Sequence, residues 1–275
     1  MLLDECNLID SKLLWTLIVR VHDKAPLVHN ITNFVVMNNT ANALLAIGAS
    51  PAMIHSVDEV EDFVAISQAL VVNIGTLDSV WIAACKLAAI KASNAGIPWV
   101  LDPVGAGATP YRQTAANSLA QLKPTVIRGN GSEILSVAQQ AGEGRGVDSL
   151  HGSETALNAA KHLAELTKGI IAITGAVDYV TDGTQVAEIH NGHPLMARVT
   201  GLGCSATAVI GAFLAIEQDA FTATVAALTL LGVAGELAAE RSLGPGTLQV
   251  ALLDTLYTLD EATFSQRALV KLYVS

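Results

Sequence analysis

The chain has 275 residues, 51% of them hydrophobic and only 15% charged, with 15 Lys+Arg against 25 Asp+Glu and a formal net charge of −10. So apolar a chain can offset its ordering entropy by burial, which excludes intrinsic disorder, and basic residues this few and scattered exclude nucleic acid as a natural partner. A mean hydropathy of +0.46 leaves a membrane protein as the rival class.

Taken from the N-terminus, Met1-Leu2-Leu3-Asp4-Glu5 is acidic where a secretory signal needs basic residues, so a cytoplasmic protein is expected. Three cysteines (Cys6, Cys85 and Cys204) without C-x-x-C spacing argue against a disulfide framework and a zinc site. Residues 70–74, Leu-Val-Val-Asn-Ile, read as a buried strand bounded by Gly75. A helix follows over about 78–94, stopped by Gly96 and Pro98. Trp99-Val100-Leu101 is the next strand and ends at Asp102-Pro103, where the proline holds Asp102 extended. A helix from about Thr109 leads to the strand 125–128, another starts at Asn130, and a third over 153–168 precedes the strand 170–174. Repeated strand–helix–strand units predict an α/β fold with a mostly parallel sheet and helices on both faces.

After Thr174 the rhythm changes. Residues 179–181 and 186–189 flank Asp182-Gly183 as a hairpin, and apolar helices are expected over about 204–217, 220–240 and 245–258. The uncharged stretches 199–216 and 220–235 are the candidates for membrane spans. The first begins as a glycine-rich loop and the second is too short for a hydrocarbon core of about 30 Å, so two buried helices are the better reading. No linker or repeat divides the chain, and residues 1–275 read as a single domain.

Ligands of open α/β sheets bind outside the carboxyl ends of the strands. There the sequence places Asp102, Arg128 with Asn130, Thr174, and the turn Gly201-Leu202-Gly203-Cys204. N–H groups at a helix start make an anion site, although a tight packing turn explains the same glycines. The dinucleotide pattern Gly201-x-Gly203-x-x-Ala206 lacks its βαβ unit, because helices follow it, and no P-loop occurs. Cys204 stands in the first helical turn, where the dipole lowers a thiol's pKa; a small residue at a crowded helix start is the simpler reading. Asn130-x-x-Glu133 is a capping box, or, with Asp102, a pair of carboxylates for Mg²⁺. His190-Asn191-Gly192-His193 reads as a loop leaving the hairpin rather than a ligand set. Two carboxylates, an Arg, an Asn and an anion-binding turn suit phosphoryl transfer from ATP, where positioning and charge neutralisation carry the catalysis.

Eight ordered segments carry a resemblance: residues 26–33 (PLVHNITN), 48–53 (GASPAM), 73–77 (NIGTL), 101–109 (LDPVGAGAT), 127–130 (IRGN), 173–175 (ITG), 190–193 (HNGH) and 199–204 (VTGLGC), with 244–246 (GPG) extending it. Together they make the chain resemble the hydroxyethylthiazole kinases, a thiamine-salvage branch of the ribokinase-like superfamily. The resemblance implies a ribokinase-like three-layer α/β/α fold and ATP-dependent phosphorylation of the alcohol of 4-methyl-5-(2-hydroxyethyl)thiazole, with Mg²⁺. It implies that Met53, Gly201 and Asn33 meet the thiazole, that Arg128, Thr174 and Asn130 meet ATP, and that Asp102 and Glu133 hold the metal. Cys204, beside Gly203 in the anion-binding turn, takes the place of the aspartate base of most ribokinase-like enzymes. A homotrimer with active sites between subunits is also implied, which would let Met53 serve a neighbour's site. Leu202 departs from the small residue usual between the glycines, and 142–153 matches a flexible stretch near the nucleotide. The alternatives are a sibling kinase for a pyrimidine or pyridoxal alcohol, and an ADP/ATP-dependent lyase acting on hydrated nicotinamide nucleotides.

Overall fold

The computed structural model of the chain describes residues 6–141 and 152–274. In chain order these form β1 (Cys6–Leu8), α1 (Ser11–Lys24), β2 (Leu27–Ile31), α2 (Met37–Ala46), β3 (Ser50–Ala52), α3 (Val60–Ile66), β4 (Ala69–Asn73), α4 (Ser79–Ala95) and β5 (Trp99–Asp102). Then come α5 (Pro110–Ala120), β6 (Val126–Asn130), α6 (Gly131–Ala141), α7 (Gly152–Thr167), β7 (Ile170–Thr174) and the hairpin of β8 (Asp178–Thr181) and β9 (Gln185–Ile189). A 3-10 helix (Pro194–Arg198), α8 (Leu202–Leu214), α9 (Ala220–Glu240), α10 (Pro245–Thr258), α11 (Glu261–Arg267) and β10 (Val270–Val274) complete it.

One ten-stranded sheet runs in the order β1-β10-β9-β8-β7-β6-β5-β4-β2-β3. From β3 to β7 every neighbouring pair is parallel; from β7 to β1 every pair is antiparallel. The α/β class and the hairpin are as the sequence predicts, and β10 with β1 widens the antiparallel end beyond it. Alternating residues feed two cores. Val28, Val71, Val100 and Val126 face α8 and α9, whereas Leu70, Leu101 and Ile127 face α4 to α7. Period-two alternation with both faces apolar is what a sheet covered on both sides requires.

Local signals act where they are written. Asp78 caps α4 by accepting from Trp81 N, and Gly96 ends it at φ +68°. Thr109 caps α5 with Pro110 at the first helical position. The apolar stretches after Arg198 are α8 and α9. The expectation that the second stretch is too short to span a membrane is corrected: α9 continues past Glu236 to 21 residues and by length and composition is able to cross one, but 83% of its apolar window is buried inside the protein, which accounts for its apolarity. Gly211 lets α8 lie on the sheet, since a Cβ there would come 2.8 Å from Val71 Cγ2.

The connections create a crevice. From β2 the chain passes outward to β3, then returns to place β4 on the opposite side of β2. Such a reversal parts the loops at the carboxyl ends of the strands, which is where open α/β sheets bind ligands. Helix α8 packs over β4 and β5, and Thr207 near its start donates a hydrogen bond to Asp102 at this end.

Candidate active site

Asp102 closes β5 and is fully buried. Its Oδ2 accepts hydrogen bonds from Asn73 Nδ2 and Thr207 Oγ1, both at 2.8 Å, and stands 3.7 Å from Arg128 Nη1. Burial pushes its pKa up to about 6, against the pull of Arg128 and Thr207, with a smaller like-charge push from Glu133. Asp102 Oδ1 has no hydrogen-bond partner among the described residues. Arg128, from the neighbouring strand β6, donates through Nη2 to Thr174 Oγ1 at the end of β7. The guanidinium thus spans three adjacent strand ends.

Gly203 accounts for how α8 meets this cation. A Cβ on Gly203 would sit 2.7 Å from Arg128 Nη1, so only glycine leaves room for the guanidinium against the first helical turn. Gly201 caps α8 in the left-handed region, φ +83°, where a Cβ would also strike Val36 Cγ1 at 2.6 Å. The first N–H groups of a helix have no acceptor within it, so those of residues 202–204 remain available to an anion beside Arg128.

The chain of contacts continues across the crevice. Asn33, just after β2, donates through Nδ2 to Asn73 Oδ1 at 2.9 Å and lies 3.5 Å from Cys204 Sγ. Burial, and then the charge of Asp102, push the Cys204 thiol up to about 11. This direction is opposite to the one a helix N-terminus alone would give and favours the simpler reading of Cys204 as a small residue at a crowded helix start, a thiol at neutral pH.

Asn130 and Glu133 form the reciprocal capping box. Asn130 Oδ1 accepts from Glu133 N at 3.0 Å, and Glu133 Oε2 accepts from Asn130 N at 2.8 Å. Glu133 Oε1 also accepts from Gly105 N at 2.9 Å, which draws the β5–α5 loop onto α6. Neither role excludes the other, because each carboxylate oxygen keeps a second lone pair. Among the described residues no group of three His, Cys, Asp or Glu is placed to hold a metal. Mg²⁺ does not ask for one: it binds through one or two carboxylates, waters and substrate phosphates. The unpartnered Asp102 Oδ1, with Glu133 close enough to perturb its titration, fits that donor set.

A cavity of about 530 Å³ opens beside Arg128, Thr174 and Gly203 and runs under residues 191–197 to Leu228 and Leu231 of α9. One end is cationic and rich in N–H groups; the other is apolar. The loop reading of 190–193 holds, since His190 contacts Glu188 and His193 Nδ1 accepts from Leu195 N to cap the 3-10 helix. Leu202 lines the cavity and packs against the core beneath α8. Met53 follows the edge strand β3 and lies outside both cavity and cluster. The expectation for 142–153 falls on residues outside the described ones, apart from the start of α7.

Sequence reasoning gave no role to Asn73, Thr207, Arg112 or Asp178. Asn73 was legible as a polar residue ending an apolar strand, and Thr207 as one helical turn beyond Gly203. Arg112 ties two loops together by donating to Ile74 O, Val104 O and Gly75 O. Asp178 accepts from Gly175 N at 2.9 Å at the cavity wall, and burial raises its pKa to about 6.

Comparison with known proteins places this geometry. The model of the hydroxyethylthiazole kinase family matches residues 18–262. The chain is 56% identical over 252 residues to the hydroxyethylthiazole kinase of Granulibacter bethesdensis, covering 92% of each protein. It is 51% identical to that of Leptospira biflexa, covering 90% of this chain and 93% of the relative. Among solved structures it resembles the hydroxyethylthiazole kinase protein of Pyrococcus horikoshii, with a TM-score of 0.89 and 42% identity over 95% of this chain and 99% of the other. A pyridoxal kinase from Staphylococcus aureus solved with ADP shares the fold, with a TM-score of 0.60 at 16% identity over 77% of this chain and 88% of that one. The chain belongs to the hydroxyethylthiazole kinase family, and its fold is the ribokinase-like α/β/α sandwich.

Proposed function

We propose that this family member transfers the γ-phosphoryl group of ATP to the primary hydroxyl of 4-methyl-5-(2-hydroxyethyl)thiazole at the carboxyl ends of β4 to β7. The observation that carries the reading is the Arg128 guanidinium held between Asp102 and Thr174 and laid against Gly203 at the start of α8. A fixed cation facing a helix N-terminus neutralises charge on a transferring phosphoryl group without reorganising during the reaction.

In this reading Arg128, Thr174 and Asn130 hold the polyphosphate, and the rest of the nucleotide extends into the cavity under residues 191–197. Asp102 and Glu133 would hold Mg²⁺, which when bound neutralises phosphate charge. Asn33 and Gly201 orient the thiazole alcohol across the β2–β4 crevice. The alcohol oxygen attacks the γ-phosphorus, the bond to the bridging oxygen of ADP breaks, and the hydroxyl proton passes to water as the new bond completes. A loose transition state needs little help from a base, so a Cys204 with its pKa near 11 shapes the site rather than starting the reaction as a thiolate.

Met53 reaches the thiazole of a neighbouring subunit in a homotrimer. The support is a patch of exposed apolar residues, Phe34, Val35, Val57 and Val80, near the carboxyl ends of β2 to β4 beside edge strand β3. Light scattering reads the oligomeric state directly. The setting is the cytoplasm, in thiamine salvage.

The reaction is tested by incubating the protein with ATP, Mg²⁺ and the thiazole alcohol and analysing products by mass. Formation of thiazole phosphate with ADP supports the proposal. ATP consumed while the thiazole stays unmodified, with water removed from a hydrated nicotinamide nucleotide, replaces it with the lyase reading.

A further inference from the structure

The cavity wall formed by residues 191–197 is fastened from behind by Glu236, a half-buried carboxylate of α9 that does not itself line the cavity. Glu236 Oε1 accepts two hydrogen bonds from the wall, one from Asn191 Nδ2 at 3.0 Å and one from Gly192 N at 2.9 Å. Asn191 is in turn tied to the chain entering β10: its Nδ2 donates to Arg267 O at 2.9 Å, and its Oδ1 accepts from Leu269 N at 2.8 Å. Gly192 adopts φ +124°, open to glycine and strained for other residues, so the N–H aimed at Glu236 rests on a backbone form that the sequence supplies.

Helix α9 is cut away to receive this wall. A Cβ on Gly232 would come 2.7 Å from Asn191 Cβ, and one on Gly235 would come 2.2 Å from Met196 Sδ. The wall therefore lies directly on the helix, and Glu236, next in sequence to Gly235, sets its height.

We propose that Glu236 is a positioning residue for the nucleotide: it holds Asn191 and Gly192 so that the cavity matches ATP before ATP arrives. Charge-assisted hydrogen bonds to backbone and amide N–H groups are stronger than neutral ones, and preorganising a wall lowers the ordering cost of binding. The role concerns binding rather than the chemical step, because Glu236 acts on the wall formed by 191–197 and not on the Arg128 cluster.

This rests on the reading that the cavity holds ATP. The test is steady-state kinetics of the full-length enzyme with ATP and the thiazole alcohol varied separately. Glu236→Ala is expected to raise the KM for ATP roughly tenfold, the loss of one to two hydrogen bonds, while kcat and the KM for the alcohol stay within about twofold. Glu236→Gln keeps an accepting oxygen without the charge and is expected to recover part of the KM for ATP, falling between the parent and the alanine variant. Glu236→Asp withdraws the same charge by one methylene and gives the same split if the alanine variant does not fold. An unchanged KM for ATP, a parallel loss of kcat and both affinities, or loss of fold in both Ala and Asp variants overturns the proposal. Arg128→Ala, run alongside, separates the two failures. If it leaves ATP use intact, the cavity reading falls; if it impairs ATP use while Glu236→Ala does not, only the positioning role falls.

Discussion

Gly203 and Arg128 are matched in space: a Cβ on Gly203 would lie 2.7 Å from Nη1 and 2.8 Å from Nη2 of the guanidinium. The cation is tethered by Thr174 and Asp102, so it cannot simply swing aside. Gly203→Ala is expected to lower thermal stability, because crowding a tethered guanidinium costs about 1–3 kcal/mol and outweighs the roughly 1 kcal/mol that alanine gains over glycine in a helix. Its kcat/KM for ATP should fall by about 10²-fold, the scale of losing one preorganised donor. Calorimetry and steady-state kinetics on the same sample check both halves.

Arg128 acts through a planar fork, so its charge alone is not enough. Arg128→Lys is expected to recover little of what Arg128→Ala loses, because an ammonium cannot reach Thr174 and a phosphate oxygen together. Glu133→Gln should also weaken turnover strongly, and part of that loss should answer to raised Mg²⁺. A Mg²⁺ titration of the two variants distinguishes them, with only Glu133→Gln shifting its half-saturation.

Cys204→Ala should reduce kcat by no more than about tenfold and retain activity, less damage than either Arg128→Ala or Glu133→Gln causes. With its thiol raised to about 11, Cys204 should also react slowly with iodoacetamide at pH 7.5. A reversed order of damage, or rapid alkylation at neutral pH, contradicts the shaping role.

Asp102 trades stability for function. Its folded pKa of about 6 lies above the ordinary value of 3.8, so the folded state binds this proton more tightly than the unfolded chain does. The stabilisation from protonation is complete below pH 3.8 and is lost as pH rises through about 6. Asp102→Asn, which can still accept from Asn73 and Thr207, should be more stable than the parent at pH 8 by on the order of 2 kcal/mol, with the gain vanishing near pH 4. Its kinase activity should fall by about 10²-fold or more. Denaturant titrations at the two pH values read the difference.

Much of the parallel half of the sheet was legible because each signal was local. Asp78, Gly96 and Thr109 bound their helices where the sequence implied, and strand ends brought Asp102, Arg128 and Thr174 together. The first 69 residues carry weaker patterns, and β3 and β1 have only three residues each, too few to show a period. Strand β10 was hidden for another reason: Val270–Val274 earns its place by pairing with β9, a contact distant in sequence. The same distinction explains the site. Glycines 201 and 203 announce a helix start, but which cation Gly203 makes room for depends on a strand about 75 residues earlier. Cys204 shows the opposite case, since its helix position was readable while the burial that sets its pKa was not.

The most direct measurement is a coupled ADP-release assay comparing kcat/KM for the thiazole, pyrimidine and pyridoxal alcohols at saturating ATP and Mg²⁺. The account predicts that the thiazole alcohol is preferred by at least about 10²-fold, with one thiazole phosphate formed per ADP, and that Arg128→Ala abolishes this turnover. Equal or better use of a pyrimidine or pyridoxal alcohol, or thiazole turnover that survives Arg128→Ala, would contradict it.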